Sequence, residues 1–458
     1  MAEPNTVELA KQRCKAIMDI IQTLPSSTNI SVSCTQTLHK LALRELNFLS
    51  RCSSSSSAPL SLNIGHLEAI VHILQHPSVT GISRVCKPIP SSSSSQAVYV
   101  DIICTLNRNP VWVIVSDRKP RYISWYKGHR SKGLKSRLEE VIDAARSLHA
   151  LEPCSIILFF SHGLDQFILE RLRDEFKATE FHFNFSDFDF AFSEIDGDWI
   201  NVLPRSYEEA CVLEIKVNDR NCGVTSSNYN SKVCSSGVDE PEILNNNTEI
   251  DFGDSFCSVV MAMKPNPMNG IEDMESANFE KLLGGDSDLI NFDTTALIAL
   301  VSGISNGCAA KLLSIPENEL RQKYKSNYDF VIGQAMSEIK KPILVELSSL
   351  LSGKRGIICQ SAHSEFKELI TMCGGPNEKS RANHLLKHIM VVLDMVSKRM
   401  TCLPTTRKLA LKNKVVFGTG DYWNAPTLTA NMSFVRAVSQ TGMSLFTFEH
   451  RPRALTGD

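Results

Sequence analysis

Apolar residues recur at helical spacing through Val7, Ala10, Cys14, Ile17, Ile20 and Ile21, and the same beat runs over residues 35–50. The chain is therefore expected to open with two amphipathic helices, the first over residues 5–24. Ser53–Ser57 closes that pair, and a further helix around His66–His76 leads through Val79 and Ile82 to a second serine run, Ser91–Ser95. Both runs read as loops. The pattern then changes to strands: QAVYVDIICTL and PVWVIVSDR flank the turn-like Asn107, Arg108 and Asn109 and predict a hairpin. CSIILFFSHGLDQFILERLRDEFKATEFHF reads strand, helix, strand, which completes an α/β N-terminal domain over residues 1–215. Residues 216–285 are rich in Asn, Ser, Gly, Asp and Glu and predict a polar linker, largely disordered, with one strand in CSVVMAM.

A second α/β region, residues 286–458, repeats one arrangement three times: a short apolar run that hands over to a helix. In LINFDTTALIALVSGI the handover residue is Asp293. An acid at the carboxyl end of a strand is well placed for chemistry, because open α/β sheets bind ligands there. The same Asp, followed by Thr294 and Thr295, also has the make-up of a helix cap. In GIICQSAHSEFKELI a strand ends at Gln360, and the helix after it carries Ala362, Phe366, Leu369, Ile370 and Cys373 on one stripe. Glu365 borders that stripe and can reach an interior cleft, whereas Glu368 points to solvent. In PTLTANMSFVRAVSQTGMSLFTF a strand ends at Thr429, Asn431 marks the handover, the helix stops at Gly442 and a last strand follows. Between these repeats, YDFVIGQAMSEIKKPILVELSSLL predicts further helices.

Composition changes this picture little. Hydrophobic residues make up 43% and charged residues 21%, as in a globular protein, and a formal net charge of −2 leaves no global basic field for nucleic acid. Fourteen scattered cysteines show no C-x-x-C pair and no His/Cys group at zinc spacing, so reduced thiols and no zinc are expected. His384 and His388 have a chelating i, i+4 spacing without a third ligand in view. No run of eighteen apolar residues and no apolar leader point to a membrane or to secretion, which leaves a cytoplasmic or nuclear setting as the expectation. Asp101 lies inside the hairpin, but no Glu-x-Lys follows on the partner strand, so it reads as a strand-edge residue.

One basic stretch stands out. RYISWYKGHRSKGLKSR sets Arg121, Lys127, Arg130, Lys132, Lys135 and Arg137 among Tyr122, Trp125 and Tyr126. Cations interleaved with aromatics can neutralise phosphates and stack on unpaired bases, so Lys127, Arg130, Lys132, Lys135 and Arg137 are candidate RNA contacts; a solvated helix entrance is the alternative. Near the end of the sequence, Arg451 and Arg453 could touch a phosphate or merely end the chain.

The order FDTTALI, SAHSEF, TANMSFVRAV and a final strand resembles the PIN-like nuclease domain. With GTGDYWNAPTLTANMSFVRA and HRPRALT, the whole chain resembles an uncharacterised eukaryotic two-domain family, an N-terminal domain of unknown function joined to a PIN-like one. The resemblance implies a three-layer α/β/α sandwich around a mainly parallel sheet, with a carboxylate cluster holding Mg²⁺ or Mn²⁺. Carried onto this chain, Asp293 matches the acid after the first strand, Glu365 the helix acid and Asn431 the usual aspartate of the T-x-D motif. Asp421 in GTGDYW is the favoured intermediate acid; its competitor is Asp394, read on a helix in HIMVVLDMV. In this scheme Asp293, Glu365 and Asp421 form the metal shell, Asn431 is a neutral ligand or donor, and the expected activity is metal-dependent RNA cleavage. Asn431 brings no charge to the cation, which favours the rival expectation of a degenerate PIN-like module acting as an RNA- or protein-binding scaffold.

Overall fold

The computed structural model describes residues 6–24, 30–51, 63–89, 97–126, 132–183, 207, 209–217, 254–265 and 288–458. The chain forms two compact units. The first comprises residues 1–219, 396–426 and 431–448; the second comprises residues 220–395, 427–430 and 449–458.

The N-terminal part of the first unit is a mixed sheet between two helical layers. Helices α1 (Thr6–Thr23), α2 (Val32–Arg51) and α3 (Ile64–Leu74) precede three strands, β1 (Val79–Ile89), β2 (Val98–Leu106) and β3 (Asn109–Ser116). Then come α4 (Leu134–Ser147), β4 (Ser155–Phe160), α5 (Gln166–Phe176), β5 (Thr179–Glu180) and β6 (Cys211–Lys216). The sheet order is β1-β2-β3-β4-β6-β5, with β3 and β4 parallel and the other pairings antiparallel. Strand side chains alternate between faces. Ile102, Cys104, Val111, Val113, Ile157 and Phe159 meet α1, α2 and α3, while Ile103, Trp112, Ile114, Ile156 and Leu158 meet α4 and α5. Asn107 and Arg108 both have positive φ, 46° and 70°, as the tight hairpin between β2 and β3 requires. The buried Glu68 of α3 takes two bonds from Arg13 of α1, at 2.7 and 2.5 Å, and ties these helices together.

The second unit is built on short, buried parallel strands. β7 (Leu289–Phe292), β8 (Arg355–Cys359), β9 (Ile389–Val392) and β10 (Thr427–Thr429) lie in the order β10-β7-β8-β9, with all these pairings parallel. Continuous apolar runs such as LINF suit strands covered on both faces. An α/β architecture with helices packed on a parallel sheet is therefore present, as the sequence predicts. Helices Tyr328–Lys340 and Ile343–Leu351 are separated at Pro342, whose ring cannot continue a helix.

Two element assignments change. CSVVMAM belongs to a helix, α6 (Asp254–Met261), because Phe256, Val259, Val260 and Met263 fall at helical spacing and are all buried. The segment IMVV before Asp394 is strand β9, not a helix, since it pairs in register with Gly356–Cys359. The rest of the predicted linker, residues 218–253 and 266–285, lies outside the described residues. Among the described residues one helical stretch, Thr294–Leu313, has the length and apolarity to cross a bilayer; 61% of its apolar window is buried, and it kinks at Asn306 and Gly307.

Residues 451–458 are locked into the second unit rather than free to meet a phosphate. Arg453 forms a buried pair with Glu338, and Arg451 donates to Ser337 Oγ and the Lys341 carbonyl. Glu378, fully buried, accepts from the amides of Gly303, Gly375, Thr456 and Gly457 and from the Thr456 hydroxyl. A Cβ on Gly375 would sit 2.0 Å from the Asp458 carbonyl oxygen, so glycine is what lets these segments approach. Replacing Glu378 by Ala leaves several buried donors unpaired and should destabilise the protein by at least about 3 kcal/mol, with Gln costing less because it keeps one acceptor. Urea denaturation measures this; a loss below about 1 kcal/mol would show that these donors find other partners.

Candidate functional site

Four strand ends of the second unit bring polar groups to one edge of the sheet. Along the order β10-β7-β8-β9 these are Thr429, Asp293, the start of helix Gln360–Cys373 with Ser361 and Glu365, and Asp394. Asp293 follows β7 and caps helix Thr294–Val301. Its Oδ1 accepts from the Ala296 amide at 2.8 Å and the Thr295 hydroxyl at 2.7 Å, and its Oδ2 accepts from the Thr429 hydroxyl at 2.5 Å. Thr295 in turn accepts from the Ala430 amide at 2.8 Å, so one polar network joins the ends of β7 and β10. One layer deeper, buried Asn291 donates to Thr427 across the same strand pair.

Asp293 thus fulfils the expectation of a helix cap. Unlike an exposed cap, it is only 5% accessible. Burial pushes its carboxyl above the usual range, against the opposing pull of the bonds from Thr429, Thr295 and Ala296.

Glu365 lies where the helical stripe put it. Ala362, Phe366 and Ile370 are buried, Glu365 is half-buried and Glu368 is exposed; Cys373, expected on the stripe, is exposed as well. Thr294 donates to Glu365 Oε2 at 3.2 Å, so residues adjacent in sequence, Asp293 and Thr294, link both acids to the start of one helix. Asp394 accepts from the amide and hydroxyl of Ser361, at 3.0 and 2.5 Å, which fastens the end of β9 to the first turn of helix Gln360–Cys373.

The remaining candidates are placed otherwise. Asp421 and Asn431 belong to the first unit. Asp421 pairs with Arg399 at 2.5 Å, and Asn431 caps helix Met432–Thr441 by accepting from Ser433 Oγ and the Phe434 amide. Of the basic residues, Lys127 and Arg130 lie outside the described residues. Lys132 pairs with Glu140 and Lys135 with Glu175, while Arg137 is half-buried in the first turn of α4. His388 lies beyond the end of helix Pro376–Leu386 with its ring 4.9 Å from that of His384, and no third ligand joins them among the described residues. Sequence reasoning missed Thr295, Thr429 and Asn291 as parts of the site; the F-D-T-T and T-L-T strings were the available signal.

Residues 290–458 match the model of a family described as a protein of unknown function, DUF1308. No solved structure matches the chain.

Because folding raises the Asp293 pKa, the folded state holds this proton more tightly than the unfolded state does. The stability it contributes is fully present below its ordinary pKa of 3.8 and is lost as pH rises through the higher folded value. Asp293→Asn removes that loss. The stability of the variant relative to the native chain should therefore shift in the variant's favour as pH rises above the ordinary carboxyl value of 3.8 in urea titrations, and a difference independent of pH would contradict the assignment.

Proposed function

We propose that residues 290–458 carry a PIN-like module that cleaves single-stranded RNA with Mg²⁺ or Mn²⁺ held at Asp293 and Glu365. The observation that supports this reading is a buried carboxylate of raised pKa, Asp293, at the carboxyl end of a parallel strand, whose neighbour in sequence, Thr294, donates to a second acid, Glu365. The donor set fits the ion. Both groups offer hard oxygens, and Mg²⁺ keeps several waters while binding one or two carboxylates together with substrate phosphates. The pair suffices on that count without Asp421 or Asn431, and Asp394 is the further acid of the same unit. When bound, the ion would supply Lewis acidity and orient a water.

The chain's own contribution is rigidity. Thr295, Thr429 and the Ala296 amide hold the Asp293 carboxylate in one orientation, so little reorganisation is needed when a cation or phosphate arrives. Glu365 is less buried than Asp293 and accepts from the Thr294 hydroxyl at a longer distance, 3.2 Å, which suits a ligand that adjusts to substrate.

A second reading, a non-catalytic RNA- or protein-binding scaffold, is favoured by the commitment of Asp421 to Arg399 and of Asn431 to its helix cap. Mn²⁺-dependent cleavage of labelled single-stranded RNA by the full chain separates the two. The rate should fall at least about 100-fold in Asp293→Asn and in Glu365→Gln, as expected when several kcal/mol of charge stabilisation are lost. RNA binding without cleavage at any divalent concentration would sink the nuclease reading and leave the scaffold.

Lys132 and Lys135 each hold a carboxylate, so a phosphate bound there exchanges one anion for another. If RNA uses this face, replacing both by Ala should lower the slope of log affinity against log salt by about 0.7 for each phosphate that is no longer neutralised. Equal slopes in the native chain and the double variant would remove α4 from the RNA-binding surface.

A further inference from the structure

The first unit contains a second constellation with metal-ligating chemistry. His66 lies on α3, Cys86 on β1 and Asp101 on β2, and their ligand atoms all fall within 4.8 Å of one another. The ladder pairs Val85 with Ile102 and Lys87 with Val100, which sets Cys86 and Asp101 opposite each other. His66 Nε2 lies 3.1 Å from Asp101 Oδ1, close to the roughly 3.3 Å edge expected between nitrogen and oxygen ligands of a tetrahedral zinc ion.

The backbone departs from regular strand geometry at this place. Val98 and Val100 enter the core beneath α4 and α5, whereas Ile102, Cys104 and Leu106 enter the core beneath α1, α2 and α3, so β2 changes face at Asp101. β1 does the same: Val85 joins one core and Ile89 the other. Cys86, at the switch, has φ of +49°, a conformation disfavoured for a residue with a Cβ. Irregularities of this kind re-aim side chains, and such strain persists where surrounding structure over-determines it.

We propose that His66, Cys86 and Asp101 form a binding site for a zinc-class transition-metal ion, with the fourth position open to water. The mixed set of imidazole, sulfur and a single carboxylate selects zinc or cobalt over the hard cations magnesium and calcium. The His66 and Asp101 side chains are 30% and 13% exposed, so the site is reachable from solvent and has a direction for a water ligand. The Val115 amide holds Asp101 Oδ2 at 2.8 Å, the outer bond that fixes a ligating carboxylate. Bringing sulfur to bonding distance asks for about an ångström of closure, which the partly exposed imidazole can provide.

Electrostatics favours a cation over the competing idea of an activated thiol. Burial and then the Asp101 charge push the Cys86 thiol up to about 12, the wrong direction for a nucleophile. A divalent ion supplies the positive charge that lets thiolate and carboxylate coexist, and its binding releases the thiol proton. The three ligands sit at positions 66, 86 and 101, which explains why a search for zinc spacing in the sequence finds nothing. This inference rests on the first unit alone and is independent of the nuclease reading.

The test uses the full chain, cobalt and zinc. Titration with Co²⁺ should produce thiolate-to-cobalt charge-transfer absorption saturating at one equivalent, a signal that an all-oxygen site at Asp293 and Glu365 cannot produce. Zn²⁺ should abolish that absorption and protect Cys86 from alkylation in the native chain, as mapped by mass spectrometry. Cys86→Ser should remove the band, Asp101→Asn should weaken cobalt binding at least about 100-fold, and Cys402→Ser should change neither. A missing band in the native chain, a band that survives in Cys86→Ser, or equal alkylation of Cys86 with and without zinc overturns the proposal. Should the Ser variant fail to fold, the alkylation of the native chain decides alone.

Discussion

The geometry of the candidate site depends on how helix Thr294–Val301 is clamped at both ends. At its start Asp293 accepts from the Ala296 amide, and at its end the buried Arg381 donates to the Val301 carbonyl at 2.8 Å. An anion at the amino end and a cation at the carboxyl end each oppose the charge of the helix dipole there. Just beyond, Glu378 takes the Gly303 amide together with donors from residues 375, 456 and 457. The orientation of Asp293 is thus set both by its own three donors and by a buried network at the opposite end of its helix. That network includes the 451–458 segment, which is why two arginines with the look of phosphate ligands turn out to be structural.

The general course of the fold was legible from periodicity. The helix over residues 6–23, the hairpin around Asn107 and Arg108, and the handovers at Asp293, Gln360 and Thr429 all follow from apolar spacing and cap chemistry. So does the sorting of Glu365 toward the interior and Glu368 toward solvent. The readings that changed involve short apolar runs: CSVVMAM and IMVV are each compatible with helix or strand, and only their tertiary neighbours decide. β1 escaped notice because Gly81, Pro88 and the change of face at Cys86 break its alternation. Ion pairs were equally hidden. Nothing in GTGDYW announces that Asp421 is held by Arg399, twenty-two positions earlier.

Two kinds of carboxylate are present, and their surroundings distinguish their chemistry. Asp293 is desolvated and, among the described residues, receives neutral donors, so burial raises its pKa rather than a cation lowering it. Asp421 already has a guanidinium at contact distance, and a cation arriving there must displace Arg399. Charge balance, more than proximity to a sheet edge, separates an acid available to a metal from one that is not.

The bond between Thr429 and Asp293 spans 136 residues of sequence. Chains are made from the amino end, so β7, β8 and β9 can associate while β10 has yet to be synthesised. During that interval the acid after β7 lacks its Thr429 hydroxyl, and the sheet has an open edge along β7. β10 then joins the edge left along β7 after the chain between β9 and β10 has been made. The polar network at the end of β7 is therefore completed during biosynthesis only after most of the described chain has emerged, and a nascent chain halted before Thr429 holds a buried-type carboxylate without the hydroxyl that satisfies it.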